Sequence, residues 1–286
     1  MLRTKHRGAL KPTTSIPMDV SLSQTETAIP SRADAGASHV EIPQYRRRAI
    51  LAVWTAAALP MAALAWLVAP ALEDRFAGAG NVPMVKALIV TLTVGLVWQF
   101  VLVAILVGRE QRTLRWSTLR EALWLRSPRS PRSGRVGGKV WLVLIPLIVA
   151  FAAGPLLIPE LPSPDNRNLV SFLESDAGQS FFSGNWRWFA LMLVLWTFNT
   201  VLGEALLFRG FLLPRMNGAF GRGDWVANGL LFAAYHVHVP WAIPVNLLDT
   251  FTVAYPTKRY RSAWIGIAVH SSQSVVFAAI LLTLVI

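Results

Sequence analysis

The sequence predicts an all-α protein whose helices form a polytopic transmembrane bundle. Of its 286 residues, 54% are hydrophobic and only 15% are charged, whereas about a quarter of an average soluble domain is charged. The hydrophobic residues are gathered into long runs, and a run of about 18 or more apolar residues indicates a membrane span. Four such runs predict four spans, over residues 49–72, 87–107, 140–158 and 263–286.

Three weaker runs raise the predicted number of spans to about seven. They cover residues 188–213, 225–239 and 241–255. Pro214 should end the first of them, because proline lacks a backbone N–H and clashes with the preceding helical turn. The last run is interrupted by Asn246 and Asp249.

The loop charges predict the orientation of the bundle. The segment 108–139 holds nine Lys or Arg residues against two Glu, whereas segment 159–185 holds four acidic residues against Arg167 alone. Because positive loops stay on the cytoplasmic side, the N-terminus is predicted to lie inside and the C-terminus outside. The net charge of +12 then reflects topology and anionic membrane lipid, and no nucleic acid is expected as a partner. The expected location is the bacterial plasma membrane.

Residues 1–44 are predicted to form a disordered cytoplasmic tail, and residues 45–286 the transmembrane domain. The tail is rich in Ser, Thr, Ala and Pro and has too few large apolar groups to bury a core. Its length argues against a cleaved secretory signal, although four basic residues among the first 18 leave an organellar transit peptide open. In the inner loop, Trp116, Leu119 and Leu123 predict a helix on the headgroups, followed by a Pro/Ser/Gly linker at 127–135.

Ionisable residues inside the predicted spans are the functional candidates. Inserting a charged side chain at mid-membrane costs at least roughly 2.5 to 3.5 kcal/mol of free energy, so such residues are functional candidates by default. A rise of about 1.5 Å per residue places Glu204, His236 and His270 about 14, 18 and 12 Å from the inner boundary, in one layer. His238 is about 200° round the helix from His236 and should face elsewhere. Asp249 is either a second site group or faces water near a break at Pro244.

Three motifs in the last third of the chain resemble those of a known family. They are GEALLFRG at 203–210, FAAYH at 232–236 and HSSQS at 270–274. In order and spacing they resemble the E-E-x-x-x-R, F-x-x-x-H and H-x-x-x-N pattern of the CPBP family of intramembrane proteases, the CAAX-processing and bacteriocin-processing group. The resemblance covers residues 188–286. Two positions depart from it, because Ala205 replaces the second Glu and Ser274 replaces the Asn, with Gln273 beside it.

The resemblance implies an intramembrane endopeptidase that hydrolyses a membrane-associated protein or peptide with a glutamate-activated water. Carried over by position, Glu204 is the general base, His236 and His270 are the paired histidines, and Arg209 is a motif partner. Gln273 or Ser274 would supply a hydrogen-bond donor.

Two versions of the chemistry stay open at this point. In one, Zn²⁺ is bound by His236, His270 and a third ligand. If that ligand is Glu204, the ligand set is complete but no obvious base remains. In the metal-free version, Glu204 and His236 activate water while His270, with Gln273 or Ser274, polarises the substrate carbonyl. The chain contains no cysteine, which excludes a thiolate nucleophile.

Two other functions compete with proteolysis. Because Ala205 breaks the motif, the chain could be a catalytically inactive family member that acts as a membrane scaffold or as an immunity or binding partner. A transporter would also place ionisable groups at mid-membrane, but it often shows repeated halves, and the sequence has no visible repeat.

Overall fold

The computed structural model describes residues 40–78, 82–158 and 161–286, and in this part of the chain the fold is helical with no β-strand. The all-α prediction is therefore confirmed. Shorter helical turns join the main helices, which run in the order α1 (Arg47–Phe76), α2 (Pro83–Gln111), α3 (Trp116–Ala122), α4 (Gly138–Leu157), α5 (Leu169–Glu174), α6 (Asp176–Phe182), α7 (Trp186–Arg215), α8 (Asp224–Tyr235), α9 (residues 250–260) and α10 (Ala263–Val285).

Five of these helices, α1, α2, α4, α7 and α10, are long and apolar enough to cross a membrane. The chain is therefore an integral membrane protein with a polytopic helical bundle. The fifth and sixth predicted spans correspond to shorter elements. Helix α8 has 12 residues, about 18 Å at 1.5 Å per residue, and only short turns connect it to α9. The count of seven spans and the inside position of the N-terminus stay predictions.

Helix α7 is widened by two π-helical turns, at Phe198–Leu202 and Leu206–Leu212. Between them, Gly203 leaves the helical conformation with φ −96° and ψ −92°. A Cβ atom at this position would lie 2.4 Å from the Phe198 carbonyl oxygen in the preceding turn and 3.0 Å from the Leu96 carbonyl oxygen on α2. The tight turn within α7 and the approach of α2 therefore both require glycine. The break places the next residue, Glu204, at the start of a new turn.

A buried ion pair joins the ends of α2 and α7 on the predicted cytoplasmic side. The Arg215 guanidinium holds the Glu110 carboxylate through Nη2 at 2.6 Å and Nε at 3.0 and 3.1 Å. The Tyr45 hydroxyl also donates a hydrogen bond to Glu110. Burial, reinforced by the Glu110 carboxylate, raises the pKa of Tyr45, so the hydroxyl keeps its proton and remains a donor. Such a paired and hydrogen-bonded charge cluster fixes the relative positions of the helix ends.

Part of the predicted tail also contacts this end of the bundle. Residues 1–39 lie outside the described residues, but 40–44 are described. The Gln44 side chain donates to the Pro214 carbonyl at 3.0 Å and accepts from the Gly218 N–H at 3.0 Å. The segment immediately before α1 is therefore held against the end of α7.

The inner loop contains helix α3, at the place where the sequence predicts one. The segment predicted as a linker, 127–135, is instead held against the corner between α9 and α10. The Arg129 N–H donates to the Tyr260 carbonyl at 2.9 Å, and the Ser262 hydroxyl donates to the Arg126 carbonyl at 2.5 Å. These hydrogen bonds satisfy backbone polar groups that a free linker would leave to water.

Candidate active site

A cavity of about 540 Å³ lies between α2, α4, α7, α10 and the turns that follow α8. Most of its wall is apolar, with side chains such as Leu88 and Phe151. The ionisable or amide groups that converge on it from the last third of the chain include Glu204, His236, His238, Asp249, His270 and Gln273. The three residues that the sequence places at one depth therefore share one cavity.

Glu204 is 1% exposed and follows directly on the helix break at Gly203. Its carboxylate is hydrogen-bonded by the Tyr235 hydroxyl. That hydroxyl in turn accepts a hydrogen bond from Gln99 Nε2 on α2, at 2.5 Å. The second carboxylate oxygen, Oε2, has no hydrogen-bond partner among the described residues. One oxygen of Glu204 is therefore held in place, and the other is buried without a hydrogen-bond partner among the described residues.

His236 is positioned by the end of helix α8 at Tyr235. Its Nδ1 lies 2.9 Å from the Phe232 carbonyl oxygen. Because a carbonyl oxygen can only accept, Nδ1 carries the hydrogen, and in the neutral ring Nε2 is then an acceptor. Nε2 is 3.9 Å from Glu204 Oε2, too far for a direct hydrogen bond. Two acceptors thus face each other across a gap.

The Phe232 ring packs against the two histidines, and Arg209 packs against Phe232. The Phe232 ring packs edge-on against His236 and His270, with centroid distances of 4.8 and 5.7 Å. The Arg209 guanidinium lies 4.5 Å above the same ring, and its Nη1 donates to Asn228 Oδ1. Arg209 is not among the residues that line the cavity. Its hydrogen bond to Asn228 connects α7 to α8.

Helix α10 brings His270 and Gln273 to the cavity wall. His270 packs against Phe151 at 6.1 Å, and within the described ranges its ring makes no hydrogen bond, so the ring nitrogens are available. Ser274 does not line the cavity. The cavity faces the side of α10 that carries Gln273, Val276 and Phe277, which is rotated away from Ser274. Of the two donors that the sequence left open, Gln273 is the one placed at the wall.

His238 also lines the cavity, although the sequence predicted that it faces elsewhere. The His238 ring stacks on His236 with a centroid distance of 5.5 Å and an interplanar angle of 24°. The estimate of 200° assumed a continuing α-helix, but the α-helix ends at Tyr235 and residues 236–238 form a 3₁₀ turn. The expectation for His238 is therefore wrong, because helix rotation cannot be extended past a helix end.

Asp249 is 3% exposed and lies on the cavity wall, just before helix α9. It interacts electrostatically with both Glu204 and Arg209. Of the two positions that the sequence left open for Asp249, the structure favours the site group. Tyr235 and Gln99 are two further groups that sequence reasoning missed. The available signal was a polar side chain within an apolar span, which is a functional hint in its own right.

The arrangement of donors does not match a zinc site. Zinc in proteins is held by three or four close Cys, His, Asp or Glu ligands. In the ranges that the structure describes, no group of three or more such side chains lies close enough to hold a metal ion. Among the described residues, the pair His236 and His270 thus lacks a third ligand close enough to complete a zinc site.

Comparison with known proteins gives one family match. Residues 186–276 match the family model described as type II CAAX prenyl endopeptidase Rce1-like. No curated protein and no solved structure matches the chain significantly. The matched segment includes all three motifs and runs from α7 into α10, the helices that carry Glu204 and His270. This match supports the resemblance to the CAAX protease (CPBP) family that the three motifs indicate.

Proposed function

We propose that the protein is a glutamate-dependent intramembrane endopeptidase that needs no metal and cleaves a membrane-associated protein or peptide. One observation carries this proposal. Glu204 Oε2 and His236 Nε2 are two hydrogen-bond acceptors 3.9 Å apart at the cavity wall. A water molecule has two O–H groups and can donate one to each acceptor, which leaves an oxygen lone pair directed into the cavity.

The reaction follows from this placement. The water oxygen attacks the substrate carbonyl carbon while Glu204 takes one of its protons as general base. The carbonyl oxygen becomes an oxyanion, and His270 and the Gln273 amide can donate hydrogen bonds to it. When the tetrahedral intermediate collapses, the C–N bond breaks and the leaving nitrogen takes the proton from Glu204. The carboxylate is then restored for the next cycle.

The cavity wall indicates the substrate class. Because most of the wall is apolar, it suits a peptide segment with apolar side chains that approaches from the membrane. The description of the matched family names a CAAX prenyl endopeptidase. The substrate that we propose for this chain is a peptide or protein held at the membrane by an apolar anchor.

The test compares cells that express the wild-type protein, Glu204→Gln or Glu174→Gln. Glutamine at 204 keeps the size and hydrogen bonding of glutamate but cannot accept the proton, so turnover should fall by at least the roughly 10²- to 10⁴-fold typical of a general base. Glu174 is exposed and outside the cavity, so Glu174→Gln is the matched control. Quantitative proteomics of membrane and secreted fractions should show a precursor that accumulates only with Glu204→Gln. If Glu204→Gln matches the wild type, the inactive scaffold function takes the place of the protease.

A further inference from the structure

Arg209 presents a charge-balance problem in the proposed reaction. Its side chain is 1% exposed, and Nη2 has no hydrogen-bond partner among the described residues. Among the described residues, no carboxylate lies within ion-pair distance of Arg209, although Glu204 interacts with it electrostatically. A buried cation without a compensating anion is costly. When Glu204 accepts a proton and becomes neutral, Arg209 loses that compensation.

Asp249 is placed to compensate the charge of Arg209 when Glu204 is neutral. Of the described acidic residues, only Glu204 and Asp249 line the cavity. Arg209 interacts electrostatically with both. Within the described ranges the Asp249 carboxylate has neither a hydrogen bond nor an ion pair of its own, and it is 3% exposed. A carboxylate that lies on the cavity wall without a protein partner and interacts electrostatically with Glu204 and Arg209 is a candidate for a functional role.

The packing of the helices fixes Asp249 in this position. A Cβ atom at Gly229 on α8 would lie 2.7 Å from the Thr250 Cα, so α8 and the first turn of α9 are in close contact. Asp249 precedes that turn and is therefore held beside α8, which also carries Asn228, the hydrogen-bond partner of Arg209. The position next to Glu204 in sequence is occupied by the apolar, buried Ala205.

We propose that Asp249 is the second acidic group of the site, in place of a carboxylate at position 205, and balances the charge of Arg209 while Glu204 carries a proton. This inference rests on the protease function proposed above. Asp249 is a positioning residue in this scheme, because it acts on Arg209 and Glu204 and not on the reacting atoms. In this scheme Asp249 supplies, from just before α9, the carboxylate that position 205 lacks.

The substrate in this experiment is the precursor that accumulates in cells expressing Glu204→Gln. Its cleavage is measured with purified protein in proteoliposomes. Asp249→Asn should lower kcat by roughly tenfold, within the range for coupling between neighbouring charges. KM should stay within about twofold, because Asp249 acts on charge balance and not on substrate binding. Adding Ala205→Glu to Asp249→Asn should restore most of kcat, since it returns a carboxylate to the site. Asp165→Asn, an exposed change outside the cavity, is the matched control.

The outcomes separate this inference from the protease function. If Glu204→Gln abolishes cleavage while Asp249→Asn keeps the wild-type kcat, the protease stands and the role of Asp249 is refuted. If the double variant folds but is as slow as Asp249→Asn, the role of Asp249 is also refuted. An added carboxylate would fail to restore kcat if Asp249 had only a structural role. If Asp249→Asn folds poorly, recovery of both folding and kcat in the double variant supports the inference, and failure of both overturns it. If Glu204→Gln leaves cleavage unchanged, both proposals fail.

Discussion

The substitution Tyr235→Phe tests whether the hydrogen bond to Glu204 positions the catalytic base. Tyr235 is fully buried, and its ring packs against Phe208 and Phe232 with centroid distances of 5.4 and 6.5 Å. Phenylalanine keeps this ring packing and removes only the hydroxyl. The hydroxyl is the link between Gln99 on α2 and Glu204 on α7. The change therefore deletes one oxygen atom and two hydrogen bonds.

Two separate effects are expected. A hydrogen bond to a charged group contributes about 1.5 to 3 kcal/mol. If that interaction holds Glu204 in position for catalysis, kcat should fall by roughly 10- to 150-fold. The free energy of unfolding should fall as well, because Gln99 Oε1 already lacks a partner within the described residues and Nε2 would lose its own. A buried polar group left unsatisfied costs about 1 to 3 kcal/mol.

The double variant Tyr235→Phe with Gln99→Leu separates the two effects. Replacing both hydrogen-bonding partners with apolar groups of similar shape can be nearly neutral for stability. The double variant should therefore regain most of the unfolding free energy but keep the low kcat. Gln99→Leu alone leaves the hydroxyl free to donate to Glu204 and should change kcat little. The measurements are kcat and KM in proteoliposomes and unfolding in detergent.

One result would refute this reasoning. If Tyr235→Phe keeps the wild-type kcat and only the unfolding free energy falls, Tyr235 supports Gln99 and does not position Glu204. A recovery of kcat in the double variant would lead to the same conclusion, because the double variant also lacks the donor to Glu204.

Three further predictions address topology, metal and packing. A reporter active only in the cytoplasm should give signal when fused at Arg129 and none at Asp165; the reverse result would overturn the predicted orientation. Activity should survive exhaustive chelation, whereas about one equivalent of zinc in purified protein, lost on His236→Ala, would contradict the metal-free mechanism. Gly203→Ala should lower the unfolding free energy by about 1 to 3 kcal/mol, because its Cβ would lie 2.4 Å from the Phe198 carbonyl oxygen and 3.0 Å from that of Leu96. The matched control Gly223→Ala, with no described atom within 4 Å of the added Cβ, should have little effect on thermal unfolding in detergent.

The long helices could be predicted from the sequence for a physical reason. Lipid offers no hydrogen bonds to the backbone, so a long apolar run has to satisfy its own polar groups as a helix. Composition and length alone are therefore sufficient for α1, α2, α4, α7 and α10. The elements between α7 and α10 are different, because Pro240, Pro244 and the turns around them divide the chain into pieces too short for this argument. Their boundaries depend on tertiary packing.

The candidate site was predicted only in part because depth is one coordinate out of three. Counting residues along a helix gives the depth of Glu204, His236 and His270, and the structure places all three on one cavity. Rotation about the helix axis can be counted only while the helix stays regular. It fails for His238, which follows the end of α8, and for the choice between Gln273 and Ser274, where the packing of α10 decides which face meets the cavity.

The groups that support Glu204 show why a motif search finds the base before its environment. Gln99, Tyr235 and Asp249 approach Glu204 from α2, α8 and the start of α9, so no single stretch of sequence contains two of them at helical spacing. In the uncharged run 87–107, Gln99 costs little to insert and carries no motif. Its hydrogen bond to Tyr235 joins α2 to α8, two elements that are far apart in the sequence. The sequence signal for such a network has two parts. One is a glycine next to a glutamate in a span, and the other is an uncharged polar residue in a neighbouring span.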